Sequence, residues 1–290
     1  MFSVRNARGL SFAIPALAAL AVAGCGSQST VGSSGSSTPN ETLVWSDEFN
    51  QSNGSSQPDS SNWAYRTGAG NSPELEIYCN GEASVSPCNS TQPNAYVGSD
   101  GYLHIVARQA AANTYTSAML WTQGLQSFQY GRIEARMKLP SVPGFWPAFW
   151  MLGNNFSQVS WPECGEIDVM ETHALSPAMV VGSIHGFGFV GQQIGHSYVL
   201  PASSNVSSDF HTYGILWSPQ KLEFYVDDPT NVYNSFTPES LPPGAIWPFD
   251  SQKFFLVLNM SVWSPASAGQ EEMLVDYVRV WDEQTAKTNE

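Results

Sequence analysis

In Trp161-Pro162-Glu163-Cys164-Gly165-Glu166-Ile167-Asp168-Val169-Met170-Glu171-Thr172, the last six residues before Thr172 set three carboxylates, Glu166, Asp168 and Glu171, among apolar residues. Side chains at i, i+2 and i+4 of a strand share a face, so Glu166 and Asp168 point one way and Ile167 and Val169 the other. Glu171 is out of phase by one residue. A regular strand would turn it into the opposite layer, where a lone carboxylate is costly. One inserted residue near Val169-Met170, a β-bulge, brings it back to the face of the other two. The segment therefore reads as a bulged strand with an apolar side and an acidic side. Three acids on an exposed edge strand would carry the same letters, but the neighbouring Phe145-Trp146-Pro147-Ala148-Phe149-Trp150-Met151-Leu152 argues for a covered, aromatic setting.

Further strands follow on both sides. Tyr102 to Ala107, Gly131 to Met137, Lys221 to Val226, Phe254 to Met260 and Met273 to Trp281 are β-type runs, several of them alternating polar and apolar residues. Ser99-Asp100-Gly101 and Asp227-Asp228-Pro229 are turn signals between runs. Long amphipathic helices and 20–50-residue repeats are not visible. The expected fold is all-β, a sandwich of two antiparallel sheets. Leu43 to Phe49 and Val275 to Trp281 are expected to lie side by side, bringing the two ends of one domain together.

The chain has 290 residues, 42% of them hydrophobic, enough for a substantial core. Its formal charge is −14, from 25 acidic and 11 basic residues. That balance excludes nucleic acid as a partner, because no basic stripe exists to neutralise phosphates. It also opposes a heavily sulfated polysaccharide and leaves neutral sugars open.

Arg5 and Arg8 precede a short apolar run from Leu10 to Ala23, followed by Val22-Ala23-Gly24-Cys25. The run is too short for an ordinary membrane span and fits a secretory signal. The small residues before Cys25 resemble a bacterial lipobox, with acylation at Cys25. Residues 1–25 are thus expected to be a lipoprotein signal, and residues 26–40, rich in Gly, Ser and Thr, a tether. The domain is placed at residues 41–285, with a tail at 286–290. The protein is expected to be exported to the cell envelope, held at a membrane through its lipid, and monomeric. Cys79 and Cys88 flank a polar loop and are expected to form a disulfide in that compartment. Cys164 is left over, as a small buried hydrophobe or part of a site wall.

Three crowded carboxylates raise one another's pKa and tend to retain a shared proton. A retaining glycosidase needs that condition: one carboxylate ionised for attack, another protonated for the leaving oxygen, about 5–5.5 Å apart.

The stretch Trp161 to Thr172, with the preceding Trp-Pro-Ala-Phe-Trp-Met-Leu, resembles the laminarinase-like branch of glycoside hydrolase family 16. The resemblance extends over Val44 to Phe49, Tyr130 to Lys138, Phe210 to Trp217 and Val275 to Val280. It implies a β-jelly roll with a concave cleft and retaining endo-hydrolysis of a neutral β-1,3- or mixed β-1,3-1,4-glucan, with no catalytic metal. It also implies roles: Glu166 as nucleophile, Asp168 as the helper between, Glu171 as acid/base.

Trp146 and Trp150, four residues apart, resemble cleft walls that stack on sugar rings, the alternative being core aromatics. Trp161 lies on the approach to Glu166. His185 resembles a histidine near the acid/base that could tune Glu171; a satisfied core histidine gives the same letter. Arg136 and Glu134 resemble polar cleft residues, although a cross-strand ion pair would look identical. Asn71 stands in Asn71-Ser72-Pro73-Glu74-Leu75-Glu76-Ile77-Tyr78, where many relatives carry Asn-Asn-Glu-Leu-Gln-Tyr-Tyr, and it is a candidate sugar ligand. A second departure is Asn259-Met260-Ser261-Val262-Trp263-Ser264-Pro265, where relatives often have Gly-Gly-Asn-Trp. The cleft rim is therefore altered. The resemblance further implies a structural calcium held by the backbone carbonyls of Glu48 and Gly101 and the side chain of Asp276; an ion-paired or capped Asp276 is the alternative. Competing readings are an agarase- or galactan-active hydrolase, a transglycosylase, and a lectin-like surface lipoprotein that only binds.

Overall fold

The computed structural model describes residues 41–50, 57–172, 177–190, 194–202, 204–266 and 268–283. The signal segment, Cys25, the tether and the tail at 286–290 lie outside the described residues.

Within the described residues, alternating runs form two stacked sheets. The first has seven strands in the order Gly195–Val199, Met179–His185, Glu166–Glu171, Phe145–Gly153, Phe254–Val262, Met119–Trp121 and Ala64–Arg66. The second has eleven, with Gly131–Lys138 and Gln270–Glu283 at its centre. Pairing is antiparallel except where Glu76–Tyr78 lies parallel to Thr114–Ser117. The first strand, Glu41–Asp47, pairs with the last, Gln270–Glu283, matching Leu43 to Trp281 and Asp47 to Val278. Non-consecutive neighbours, such as Phe145–Gly153 beside Phe254–Val262, give the crossovers of a jelly roll.

The core lies between the sheets, and the period of two fills it. Ile133, Ala135 and Met137 reach in from one sheet, and Phe145, Phe149, Met151, Ile167, Val169 and Met170 from the other. Aromatics knit the layers: Trp217 meets the Phe254 ring edge-on at 5.4 Å. Each fully buried large side chain contributes about 1.5–3 kcal/mol. With one face of the seven-stranded sheet committed to this core, Trp146, Trp150, Glu166 and Asp168 must project from its other face. Cys79 and Cys88 form a disulfide beyond the end of the Glu76–Tyr78 strand. Cys164 is a buried free thiol.

Candidate active site

The pairing around Glu166–Glu171 contains the expected extra residue. Against Phe145–Gly153, Asp168 is paired with Trp150, while Met170 is paired with the adjacent Phe149. Against Met179–His185, Asp168 is opposite Ser183 and Glu171 opposite Val181, three residues matched to two. Val169 and Met170 are both buried in the core, so the bulge puts two apolar side chains inward in succession. Glu171 thereby returns to the cleft face beside Trp146, whose indole Nε1 donates to Glu171 Oε2 at 3.0 Å.

Asp168 is the most enclosed of the three, 7% exposed. Its Oδ2 accepts from Ser183 Oγ at 2.7 Å and lies 3.0 Å from His185 Nε2. Glu166 is hydrogen-bonded to Asp168 and receives the indole N–H of Trp161, itself 43% exposed at the entrance. Burial and the charges of Asp168 and Glu171 push the Glu166 carboxyl well above the ordinary range; the Trp161 bond opposes them. Glu171 is pushed up to about 7, by burial first and then by Asp168, with Trp146 and His185 acting the other way. His185 is raised even though burial opposes its charge, because the hydrogen bond and charge of Asp168, with Glu171, outweigh desolvation. The Glu166 and Glu171 carboxyls thus keep their protons to higher pH than isolated carboxylates would, Glu171 to about 7.

Trp150 is fixed from below. Its Nε1 donates to Asn259 Oδ1 at 2.7 Å, and Asn259 Nδ2 donates to Tyr78 Oη at 2.9 Å and Ser261 Oγ at 3.0 Å. The four side chains share hydrogen bonds on the cleft side, so this aromatic wall is held by a polar floor rather than by core packing. Ser183, Asn259, Tyr78 and Ser261 were not among the sequence candidates. Ser183 was accessible in principle, since it stands two residues before His185 and shares its face.

One expectation is extended and two need correction. His185 acts on Glu171 through its charge, as expected, but its Nε2 bonds Asp168 and it pairs across the strands with Glu166. Glu134 and Arg136 are not cleft residues. Their strand sends Ile133, Ala135 and Met137 into the core, so the intervening side chains emerge on the convex face of the other sheet. There Glu134 is bonded to Arg132 and to the hydroxyls of Tyr225 and Tyr277, and Arg136 to Asp276. The calcium donor set meets the same obstacle. The Asp276 carboxylate, the one side-chain donor of that set, is 2.5 Å from the Arg136 guanidinium, so a permanent positive charge already stands on it. That arrangement does not fit a calcium ion. Asn71 sits in the exposed turn before Glu76–Tyr78, its N–H donating to Glu74 at 2.9 Å.

Among the described residues, donor atoms of Glu166, Asp168 and His185 lie within 4.8 Å of one another, close enough to share a divalent cation. The same side chains also bond one another and their neighbours: Asp168 takes Ser183 and His185, and Glu166 takes Trp161. What the face offers chemically is a protonated carboxyl, a second carboxyl able to ionise beside it, and indole walls.

Comparison with known proteins agrees. Residues 84–279 match the model of the glycosyl hydrolases family 16. The chain is 38% identical over 266 residues to a beta-glucanase of Rhodothermus marinus, covering 84% of this chain and 86% of that protein. It is 35% identical to glucan endo-1,3-beta-glucosidase A1 of Niallia circulans, covering 83% of this chain but 38% of that longer protein. The catalytic domain of an endo-1,3-beta-glucanase (laminarinase) from Thermotoga petrophila superposes with a TM-score of 0.73 at 35% identity, covering 85% of this chain and all of that one. With its bulged carboxylate strand inside a jelly roll that matches theirs, this chain belongs to the glycosyl hydrolases of family 16.

Proposed function

We propose that the protein cleaves a neutral β-glucan internally, at β-1,3 linkages or in a mixed β-1,3-1,4 chain, with retention of configuration. The observation that carries this reading is the placement of Glu171 on the face of Glu166 and Asp168 by a one-residue bulge, with an indole N–H on it and a pKa of about 7. Glu171 keeps its proton near neutrality and gives it to the glycosidic oxygen as that bond breaks. Glu166 attacks the anomeric carbon. Its carboxylate oxygen bonds that carbon as the glycosidic bond breaks, giving the covalent glycosyl ester. In the second step Glu171, now a base, takes a proton from water; the water oxygen bonds the anomeric carbon and the ester to Glu166 breaks. Ser183 and His185 hold Asp168 in place through Oδ2. Trp150 and Trp161 stack on sugar rings, whose apolar faces suit indoles. The net negative charge and the aromatic cleft support a neutral polymer over a sulfated one.

The Cys25 motif and the following tether support export and lipid anchoring, which would keep the domain beside a polymer outside the cell. Metabolic labelling of Cys25 with a fatty acid, lost in Cys25→Ser, tests the anchor.

Reducing-end release from β-1,3-glucan, mixed-linkage glucan, agarose and xyloglucan tests the function. Turnover of the first two, with the β-anomer appearing first by NMR, is expected. Turnover confined to agarose or xyloglucan, or a first-formed α-anomer, would overturn it.

A further inference from the structure

Trp263 occupies a place that the reaction described above does not use. It follows directly on the strand Phe254–Val262, and its N–H donates to Gly144 O at 2.8 Å, adding one rung beyond the Phe145–Val262 pair. By strand parity it continues the series Asn259, Ser261, Trp263 on the cleft side, while Met260 and Val262 are in the core. Those two polar neighbours are buried; the Trp263 side chain is 48% exposed. The turn that seats it is tight. Gly144 has φ +107°, and a Cβ there would stand 2.8 Å from Ser264 O, so only glycine lets the Trp263-Ser264 segment close against the strand before it.

The ring is also placed relative to the chemistry. Trp263 meets Trp146 at 5.6 Å with the planes 75° apart, and Trp146 donates to Glu171. Glu171 is opposite Ala148 and Glu166 opposite Leu152, so Trp146 and Trp263 lie past Glu171, on the side away from Glu166. An acid that protonates a glycosidic oxygen sits next to the sugar that departs, whereas the nucleophile lies under the sugar that stays. An exposed indole beyond the acid is therefore positioned for the departing part of the chain.

We infer that Trp263 is the platform for the leaving-group sugar of a β-glucan chain and, in the reverse sense, for a sugar acceptor. This rests on the functional reading above. When an acceptor sugar occupies the platform, its hydroxyl oxygen bonds the anomeric carbon, its proton passes to Glu171, and the ester to Glu166 breaks. A new glycosidic bond forms and no other reactant is consumed. Trp263 would then bias the covalent intermediate between water and sugar.

Two substrates separate this role from a merely structural one. A β-1,3-gluco-oligosaccharide has a sugar on the leaving side; the matching glycosyl fluoride has none. Trp263→Ala is expected to lower kcat/KM on the oligosaccharide about ten-fold, mainly through KM, while the fluoride reaction stays within about two-fold. Trp263→Phe should recover most of the loss. At high oligosaccharide concentration the alanine variant should also yield fewer products longer than the substrate. Equal losses on both substrates would show that Trp263 only supports Trp146, and unchanged kinetics on both would remove it from binding; either result overturns the inference while leaving the family 16 mechanism intact. A wild-type protein that cleaves the fluoride but no β-glucan would overturn the functional reading and this assignment together.

Discussion

The two outer faces of the sandwich both carry clustered carboxylates, and they treat them in opposite ways. On the convex face these acids are paired with guanidinium groups: Glu134 and Glu41 share Arg132, Asp276 has Arg136 and Glu48 has Arg279. On the cleft face Glu166, Asp168 and Glu171 face one another with no arginine or lysine partner among the described residues, moderated by indole N–H groups, Ser183 and His185. The pKa directions follow. The Arg279 pair holds Glu48 below the ordinary carboxylate range, while Glu166 and Glu171 are held above it. Acids that stabilise the fold are neutralised by permanent cations. Acids meant to exchange protons are crowded and left to share them, at a cost in stability the rest of the core must offset.

Substitution of the cleft acids should show the largest effect. Glu171→Gln is expected to lower kcat on a β-glucan by about 10²–10⁴-fold, and Glu166→Gln by at least as much. Because each change removes repulsion, thermal unfolding should be unchanged or slightly raised. A loss of stability together with retained turnover would reverse the assignment of the two faces. The convex counterpart is Glu134→Gln. It leaves Arg132 partly uncompensated and weakens the bonds from Tyr225 and Tyr277, so a loss of roughly 3 kcal/mol is expected in denaturant titration, with kcat/KM unchanged for the folded fraction.

Opposite slopes with pH sharpen the contrast further. Glu171 must be protonated to act as acid, so kcat/KM should fall as pH rises through about 7. The same group has a folded pKa above its unfolded one, so the folded state binds the extra proton and loses stability as pH rises from about 4.5 to about 7. Glu48 is lowered, so its contribution is present above its unfolded pKa and is lost as pH falls through the folded value. Calorimetry of the wild type, Glu171→Gln and Glu48→Gln across this range separates the two contributions; parallel curves for all three would refute the contrast. The smallest expected effect is that of a chelator. Removal of divalent cations should leave turnover unchanged, and a loss restored by added cation would instead mark Glu166, Asp168 and His185 as a metal site.

Much of the cleft strand was legible without coordinates because its constraints are local. The parity of Glu166 and Asp168, the misfit of Glu171 and the cost of burying a carboxylate in an apolar layer leave a bulge as the economical solution, and the register contains one. The Cys79–Cys88 loop was accessible for similar reasons, whereas pairing of the first and last strands was expected from the tendency of a domain's two ends to meet. Trp161 was read as a candidate sugar-binding residue on the approach; its hydrogen bond to Glu166 depends on how the loop before Cys164 folds back.

What tertiary structure alone decided is which of two equivalent faces a side chain uses and who stands opposite it. Glu134 and Arg136 alternate with core residues as cleft residues would, but alternation is the same on both sheets, and only strand order assigns theirs to the convex side. His185 could have faced either end of the neighbouring strand; the antiparallel register sets it opposite Glu166 and within 3.0 Å of Asp168. Side-chain parity is a property of two consecutive residues and is written in the sequence. Register and sheet membership arise from contacts between distant segments, and those exist only once the chain has folded.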